Sequence, residues 1–543
     1  MLTFLQRYPS LWPLAFLFLF IPVFCAISRS RRLGTFLERI EPGLLCLWSL
    51  TGIGIFVFCD LAYLACPAFF DFLESCGVSI AHLVFHGGTA YPEISSAERY
   101  CLPYGPIFYL VLGASQWLFG PSTFASKLPC CFAMLASIAL FWRILRQRGL
   151  HPLAALAFTG LTATIIVAIR VPIGWAKSDP LIFLMVITGI WSAFRRDRLG
   201  PILLGVCTGL AMGLKITAPV YFTPMLVIAF CTGWKRRDFA LCLTAFLALF
   251  VLPFVLMPVQ FPWANYLTFF RTVGREGFAL VSTFNYLRWV AMLAGLVLVT
   301  GHFISRSTVP HHRRRRLAYL VALALGLALV AIPACAVGAF SYHLLPFVPL
   351  VLLSAGNLFD AGEKPASHYS RSPLAHGTAC AILSGCALVA IQTSWQFVRE
   401  CTASAAPATA CQKDLRQIIA RYPGFTILMG TAKGDESGLP ACSRHLLTWA
   451  GHPIGLDAVV VSDYQFGGIS APDLPRLLAE LHQRRPRPVL WLLPRGGVPF
   501  TATNCYDSQL PIYPERFRTD FAARFSLRET TAFFDLYFPI REP

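Results

Sequence analysis

Charge is scarce in this chain. Of 543 residues only 13% are Asp, Glu, Lys or Arg, and the acidic ones number 27. Soluble domains carry about 25% charged residues, so a chain folded mainly in water is excluded. Also missing are a C-x-x-C pair, a His/Cys cluster at zinc spacing and a clear internal repeat. The glycines of the C-terminal stretch, GGI at 467–469 and RGG at 495–497, form no phosphate loop or dinucleotide fingerprint. What is plentiful is apolar. Hydrophobic residues make up 56%, Phe alone counts 45, and the mean hydropathy is +0.61. Such a composition belongs to an integral membrane protein.

Apolar stretches recur at 11–27, 43–66, 124–142, 152–169, 180–194, 201–214, 216–232, 239–258, 286–305, 317–337, 344–358 and 377–395. A crossing takes roughly 17–25 residues, so the set predicts a polytopic α-helical membrane protein with about 11–13 transmembrane helices. Segment 11–27 precedes Arg29, Arg31 and Arg32 without a small-residue cleavage pattern, and reads as a retained helix rather than a signal peptide. The net charge of +18 then acquires a meaning. Twenty Lys and Arg fall in alternate loops (28–42, 143–151, 195–200, 233–238, 306–316, 359–376), with HHRRRR at 311–316 the strongest anchor, against nine in the opposite set. The positive-inside rule places the first set in the cytoplasm. That assignment requires Tyr104–Phe119, punctuated by Pro103, Pro106, Gly113 and Gly120, to lie at the outer surface or to enter only partway.

The predicted organisation is a multi-span domain over 1–396 with a large first outer loop, 67–123, followed by an exported domain over 397–543. In a bacterium this is an inner-membrane protein whose C-terminal domain is periplasmic. The C-terminal stretch alternates strand-like runs (Thr426–Thr431, Ala458–Tyr464, Pro488–Pro494, Phe533–Pro539) with helical ones (Leu415–Arg421, Leu474–Gln483), which predicts a soluble α/β unit with a partly parallel sheet. Its Cys401, Cys411, Cys442 and Cys505 allow three pairings if all are oxidised.

Ionisable groups at a membrane are costly and mark function. The outer side of the membrane domain has seven carboxylates: Asp60, Asp71, Glu74, Glu93, Glu98, Asp179 and Glu276. Asp60 ends an apolar run and reads as a solvated helix end. Asp71 and Glu74 stand three apart, on one face if helical. Such a pair serves either as a general base with an orienting partner or as ligands for a divalent metal, and the residues leave both open. Facing them are Arg170 and Lys177 around Asp179 in RVPIGWAKSDP, Lys215 between two apolar runs, and Arg271 and Arg275. Several cations meeting carboxylates there point to a phosphate-bearing substrate at the membrane surface. His82, His86 and His343 are candidate metal ligands or proton relays, though a lone interfacial His is more often structural. No basic exported face is present to suggest nucleic acid.

The order of these features resembles the polyprenyl-phosphate-sugar-dependent glycosyltransferases of the GT-C superfamily, in particular bacterial members of the oligosaccharide- and arabinose-transferring type. After an acidic pair and HLVFHGGTAY (82–91), Tyr104–Tyr109 and Phe119–Ser122 match their "YGP-x-x-Y … FGPS" stretch. WAKSDPL (175–181) is similar to their "A-R-P-D-x-L" element, with Lys177 at the Arg position and Ser178 at the Pro. GLKIT (213–217) and SYHLLPFVPL (341–350) resemble two later motifs, so the likeness spans about residues 43–358. The resemblance implies transfer of a sugar from a polyprenyl-phosphate donor to a hydroxyl of a cell-envelope glycan or lipid, with inversion. It implies Asp71 as general base with Glu74 as neighbour or alternate, and Arg170, Lys177 and Lys215 on the donor phosphate. Asp179, Tyr104, Tyr342, His343, Arg271 and Arg275 then bind substrate. The family's first-loop acidic residue often appears as an adjacent Asp-Glu, whereas here the two are separated. Competing readings are a transporter or flippase of lipid-linked sugars and an inactive scaffold of the same fold. Transporters usually carry repeats and midplane sites, and neither is visible here.

Overall fold

The computed structural model describes residues 31–169, 172–273, 277–304, 310–336, 339, 341–355, 373–432, 438–470, 473–484, 486–507 and 509–540. The expected helix at 11–27 lies outside the described residues. The N-terminal part is built from helices α1 (Arg31–Ala65), α2 (Phe72–Phe85), α3 (Pro106–Phe119), α4 (Thr123–Gln147), α5 (Pro152–Ile169), α6 (Ser178–Ala193), α7 (Leu199–Leu214), α8 (Thr223–Cys231), α9 (Arg236–Leu256), α10 (Trp263–Val273), α11 (Leu280–Ile304), α12 (Pro310–Ala334), α13 (Phe347–Ala355) and α14 (Pro373–Arg421). Among the described residues five helices are long and apolar enough to cross a bilayer: Pro42–Ala65, Thr123–Gln147, Pro152–Ile169, Arg236–Leu256 and Leu317–Ala334. The chain is thus a multi-pass membrane protein.

The shorter apolar helices have local causes. Pro219 and Pro224 divide the stretch expected as one span over 216–232 into a 3₁₀ turn (Ala218–Phe222) and α8. The fourteen residues of α3 rise about 21 Å, short of the ~30 Å hydrocarbon layer. Its last residues, Trp117, Leu118 and Phe119, are exposed. Close packing comes from small residues. A Cβ on Gly205 or Gly209 of α7 would run into the Cys242 or Phe246 carbonyl of α9, the approach that glycines permit between membrane helices.

The sheet follows α14 and has the order β1 (Thr426–Met429), β2 (Val489–Pro494), β4 (Phe534–Pro539), β3 (Phe525–Thr530). Strands β1 and β2 run parallel and the other pairs antiparallel, so the sheet is partly parallel as expected. Helices α15 (Leu439–Ser443), α16 (His445–Trp449), α17 (Ala458–Phe466), α18 (Leu474–Arg484) and α19 (Glu515–Arg524) surround it. One expectation fails here. Ala458–Tyr464 reads as a strand because of its three valines, yet it forms α17. Asp457 caps it, accepting from the Val459 and Val460 amides at 3.0 and 3.3 Å, and Ala458–Tyr464 is buried throughout. Capping and burial outweigh a weak intrinsic preference.

Two features join the sheet region to the helical part. The forty-nine residues of α14, about 74 Å at helical rise, run through position 396 without a linker. The first long loop is also stitched to the C-terminal part. The Arg99 amide donates to Gly455 O at 2.8 Å and the Asp457 amide to Arg99 O at 2.7 Å. Arg484 pairs with Glu98 at 2.5 Å, and the Ser75 hydroxyl lies 3.1 Å from His445 Nδ1. Cys401 is a free thiol.

Candidate active site

The first long loop turns into α2 at Asp71, the N-cap residue. Its Oδ1 accepts from the Leu73 amide at 2.9 Å, and its Oδ2 lies 2.5 Å from Lys177 Nζ. Glu74 closes a capping box with it. The two carboxyls have different surroundings. Glu74 is fully buried. One of its oxygens accepts from the Phe70 and Asp71 amides at 3.0 and 3.1 Å. The other accepts from the Ala176 amide at 2.8 Å and from the Tyr63 hydroxyl. Four donors on one carboxylate fix the bend that presents Asp71. Asp71 is the open group, with 20% of its side chain exposed against 4% for Lys177.

Lys177 precedes α6, and its ammonium stands 3.9 Å over the Trp175 ring. Asp179 lies in the first turn of α6, where the helix dipole favours negative charge. Its Oδ1 is 3.6 Å from Lys215 Nζ. Lys215 sits at the C-terminal end of α7 and is held there by its backbone N–H, which donates to Ala211 O at 2.9 Å. The position is set by a glycine contact. A Cβ on Gly105, just before α3, would overlap the Gly213 backbone, and the Gly105 amide donates to Leu214 O at 2.9 Å. The Y-G-P and G-L-K segments are therefore one packed joint.

Aromatic rings enclose the charges. Tyr342 lies 5.1 Å beneath Lys215 Nζ, meets Trp175 edge-on at 5.3 Å and stacks on His343 at 4.6 Å. Burial and the nearby Lys215 hold the His343 imidazole well below its ordinary value. Burial and then the Asp179 carboxylate push the Tyr104 phenol up, with Tyr342 and Asp71 also within electrostatic reach. Four buried polar atoms around this cluster have no hydrogen-bond partner: Ser178 Oγ, Asp179 Oδ2, Thr217 Oγ1 and His343 Nδ1. Buried polar groups are normally paired, so such a concentration suits a polar ligand.

The structure therefore gathers Asp71, Glu74, Lys177, Asp179, Lys215, Tyr104, Tyr342 and His343. Arg271 ends α10 exposed, and none of the described interactions joins it to the cluster. Arg170 and Arg275 lie outside the described residues. Among the described residues no group of three or more His, Cys, Asp or Glu is placed to hold a metal ion. His82 and His86 pair at the far end of α2, ring centroids 4.0 Å apart. Asp60 is not solvated. It is fully buried in α1. Sequence reasoning missed Tyr63, Trp175 and Lys127. The buried Lys127 ammonium donates to the Tyr63, Cys66 and Ala68 carbonyls at 3.1, 2.7 and 2.6 Å, closing the end of α1. A lysine near the start of an apolar helix was the signal for Lys127.

Residues 102–362 match the model of Glycosyltransferase family 87. The fold is similar to that of ArnT from Cupriavidus metallidurans in the apo state, with 13% identity and a TM-score of 0.56 over 91% of this chain and 97% of that one. It is equally similar to ArnT from the same organism bound to undecaprenyl phosphate, with 12% identity and a TM-score of 0.56 over 92% and 98%. No curated protein matches the chain. At such identities the structures speak for the fold, and the family match speaks for the chemistry. Together they mark this chain as a multi-pass membrane glycosyltransferase with an ArnT-like GT-C fold.

Proposed function

We propose that the protein moves a sugar from a polyprenyl-phosphate donor to a hydroxyl of a cell-envelope glycan or lipid, with inversion, on the exported face of a bacterial inner membrane. The observation that carries this reading is the Asp71–Lys177 pair at 2.5 Å, in which the more open carboxylate meets a buried cation. ArnT was solved bound to undecaprenyl phosphate, which supports a donor of that class here. The positive-inside pattern supports the exported placement of the first loop and the C-terminal part.

In the proposed step the acceptor oxygen gives its proton to Asp71 and bonds to the anomeric carbon. The bond from that carbon to the phosphate oxygen breaks, and the polyprenyl phosphate leaves with the electron pair. Lys177 and Lys215 stabilise the departing phosphate, the electrostatic contribution that transfer to a neutral acceptor requires. Before reaction Lys177 is paired with Asp71. An arriving phosphate competes for that ammonium and frees a carboxylate oxygen for the acceptor. Asp179 holds Lys215, Glu74 positions Asp71, and Tyr104, Tyr342 and His343 line the sugar site.

The test is transfer from a labelled polyprenyl-phosphate sugar by the purified protein. Asp71→Asn is expected to lower the rate about 10²–10⁴-fold, the usual share of a positioned base, while the variant still folds. Transfer near the normal rate in that variant removes Asp71 as the base.

A further inference from the structure

A cavity of about 1500 Å³ opens at the other end of α2. From Asp71 to His86 the helix climbs about 22 Å, so this cavity is separate from the charge cluster. It exceeds the ~300–1,000 Å³ of ordinary small-molecule pockets. Four parts of the chain wall it: the end of α2 with the loop after it, the end of α3, the segment from α9 into α10, and the C-terminal region around Trp449 and α18.

Its wall contains polar atoms with nothing to bind. Thr448 Oγ1 and Trp449 Nε1 are buried without hydrogen-bond partners, and Thr448 is only 3% exposed. Gln116 is fixed in place, because its amide nitrogen donates to Val78 O at 3.2 Å and to the Ser126 hydroxyl at 3.3 Å. A hydroxyl and an indole N–H without partners in one wall match a ligand whose groups both give and take hydrogen bonds.

The charges select against an anion. Arg484 is paired with Glu98 at 2.5 Å and Arg476 with Glu480 at 3.0 Å, while Glu93 adds a further carboxylate. Burial, followed by the neighbouring His86, pushes His82 down to about 4, so it adds no positive charge at neutral pH. The rim carries exposed apolar side chains, Phe85, Trp117 and Val259, and aromatic faces of this kind pack on the C–H faces of sugars.

We infer that this cavity is a carbohydrate-binding site that holds a neutral, hydroxyl-rich glycan segment some 20 Å from the charge cluster. Its role as a holding site for an extended acceptor rests on the transfer centre proposed at Asp71, whereas the binding itself does not. The segment comes either from a free glycan or from the headgroup of a glycolipid.

The test uses the full protein in lipid nanodiscs. The probes are linear glucose, mannose and arabinose hexasaccharides, offered in solution or on a lipid anchor in the disc, with saturable binding as the readout. At least one hexasaccharide is expected to bind. Loss of one wall hydrogen bond in Trp449→Phe or Thr448→Val, or of the exposed ring in Trp117→Ala, is expected to weaken it by up to about tenfold. Trp117 is 74% exposed, so its variant guards against misfolding. Binding in solution identifies a free glycan, and binding only of anchored probes identifies a glycolipid headgroup. Absence of saturable binding in both arms overturns the inference, as does binding that all three variants leave unchanged. Asp71→Asn is expected to bind as the wild type does. If it also transfers at the normal rate, the transfer reading fails while the carbohydrate site stands.

Discussion

Asp71 and Glu74 share one capping box and divide its duties. Glu74 gives its oxygens to four donors and leaves Asp71 facing the open side with one oxygen on Lys177. Glu74→Gln turns an amide N–H toward groups that are themselves donors. A cost of about 1–3 kcal/mol follows, read as a lowered melting temperature. Lys215 and Asp179 give a second test at this scale. Removing one partner of a buried pair strands the other, at about 3–5 kcal/mol. Lys215→Met is therefore expected to destabilise more than the double variant Lys215→Met/Asp179→Asn, measured by thermal unfolding. The sequence showed that these groups were rare and lay in family order, which was enough to choose them. It did not separate their roles. D-x-x-E spells both a carboxylate pair and a capping box, and the partner that distinguishes Asp71 lies 106 residues away in sequence.

At the scale of elements, the joint between the segment before α3 and the end of α7 explains two motifs at once. Gly105→Ala forces a Cβ into the Gly213 backbone. Overpacking of this kind costs about 1–3 kcal/mol and shifts Lys215, so transfer is expected to fall more than stability. The contact between α2 and α16 predicts a pH effect. Burial pushes the His445 imidazole down to about 3, with Arg416 and Lys127 adding to the shift, from an unfolded value near 6.5. Between those values the unfolded chain binds more protons, so this contribution is complete above pH ~6.5 and is lost as pH falls toward 3. Thermal unfolding from pH 7 to pH 5 is expected to show the loss, and to show less of it in His445→Asn. Helices were legible where apolar runs were long, as in α4 and α9. Three valines misled at α17 because the decisive groups, Asp457 and its buried surroundings, lie outside the run.

For the whole molecule, scarce charge foretold the membrane, since the bilayer acts on composition. The docking of the C-terminal region on the first loop was not foretold. It consists of single contacts such as Arg484–Glu98 and Ser75–His445 between segments hundreds of residues apart. A fragment of residues 397–543 loses those partners and the α1 surface that covers Phe397, Cys401 and Ala408. It is expected to melt below the intact protein and to bind a hydrophobic dye. The same α14 that carries these residues also works as a ruler with a helical phase. Two added turns, seven residues, would lift the sheet by about 10 Å with its facing nearly kept, while two added residues would turn it through about 200°. Height above the bilayer and direction toward the first loop are thus set together by the residue count of one helix.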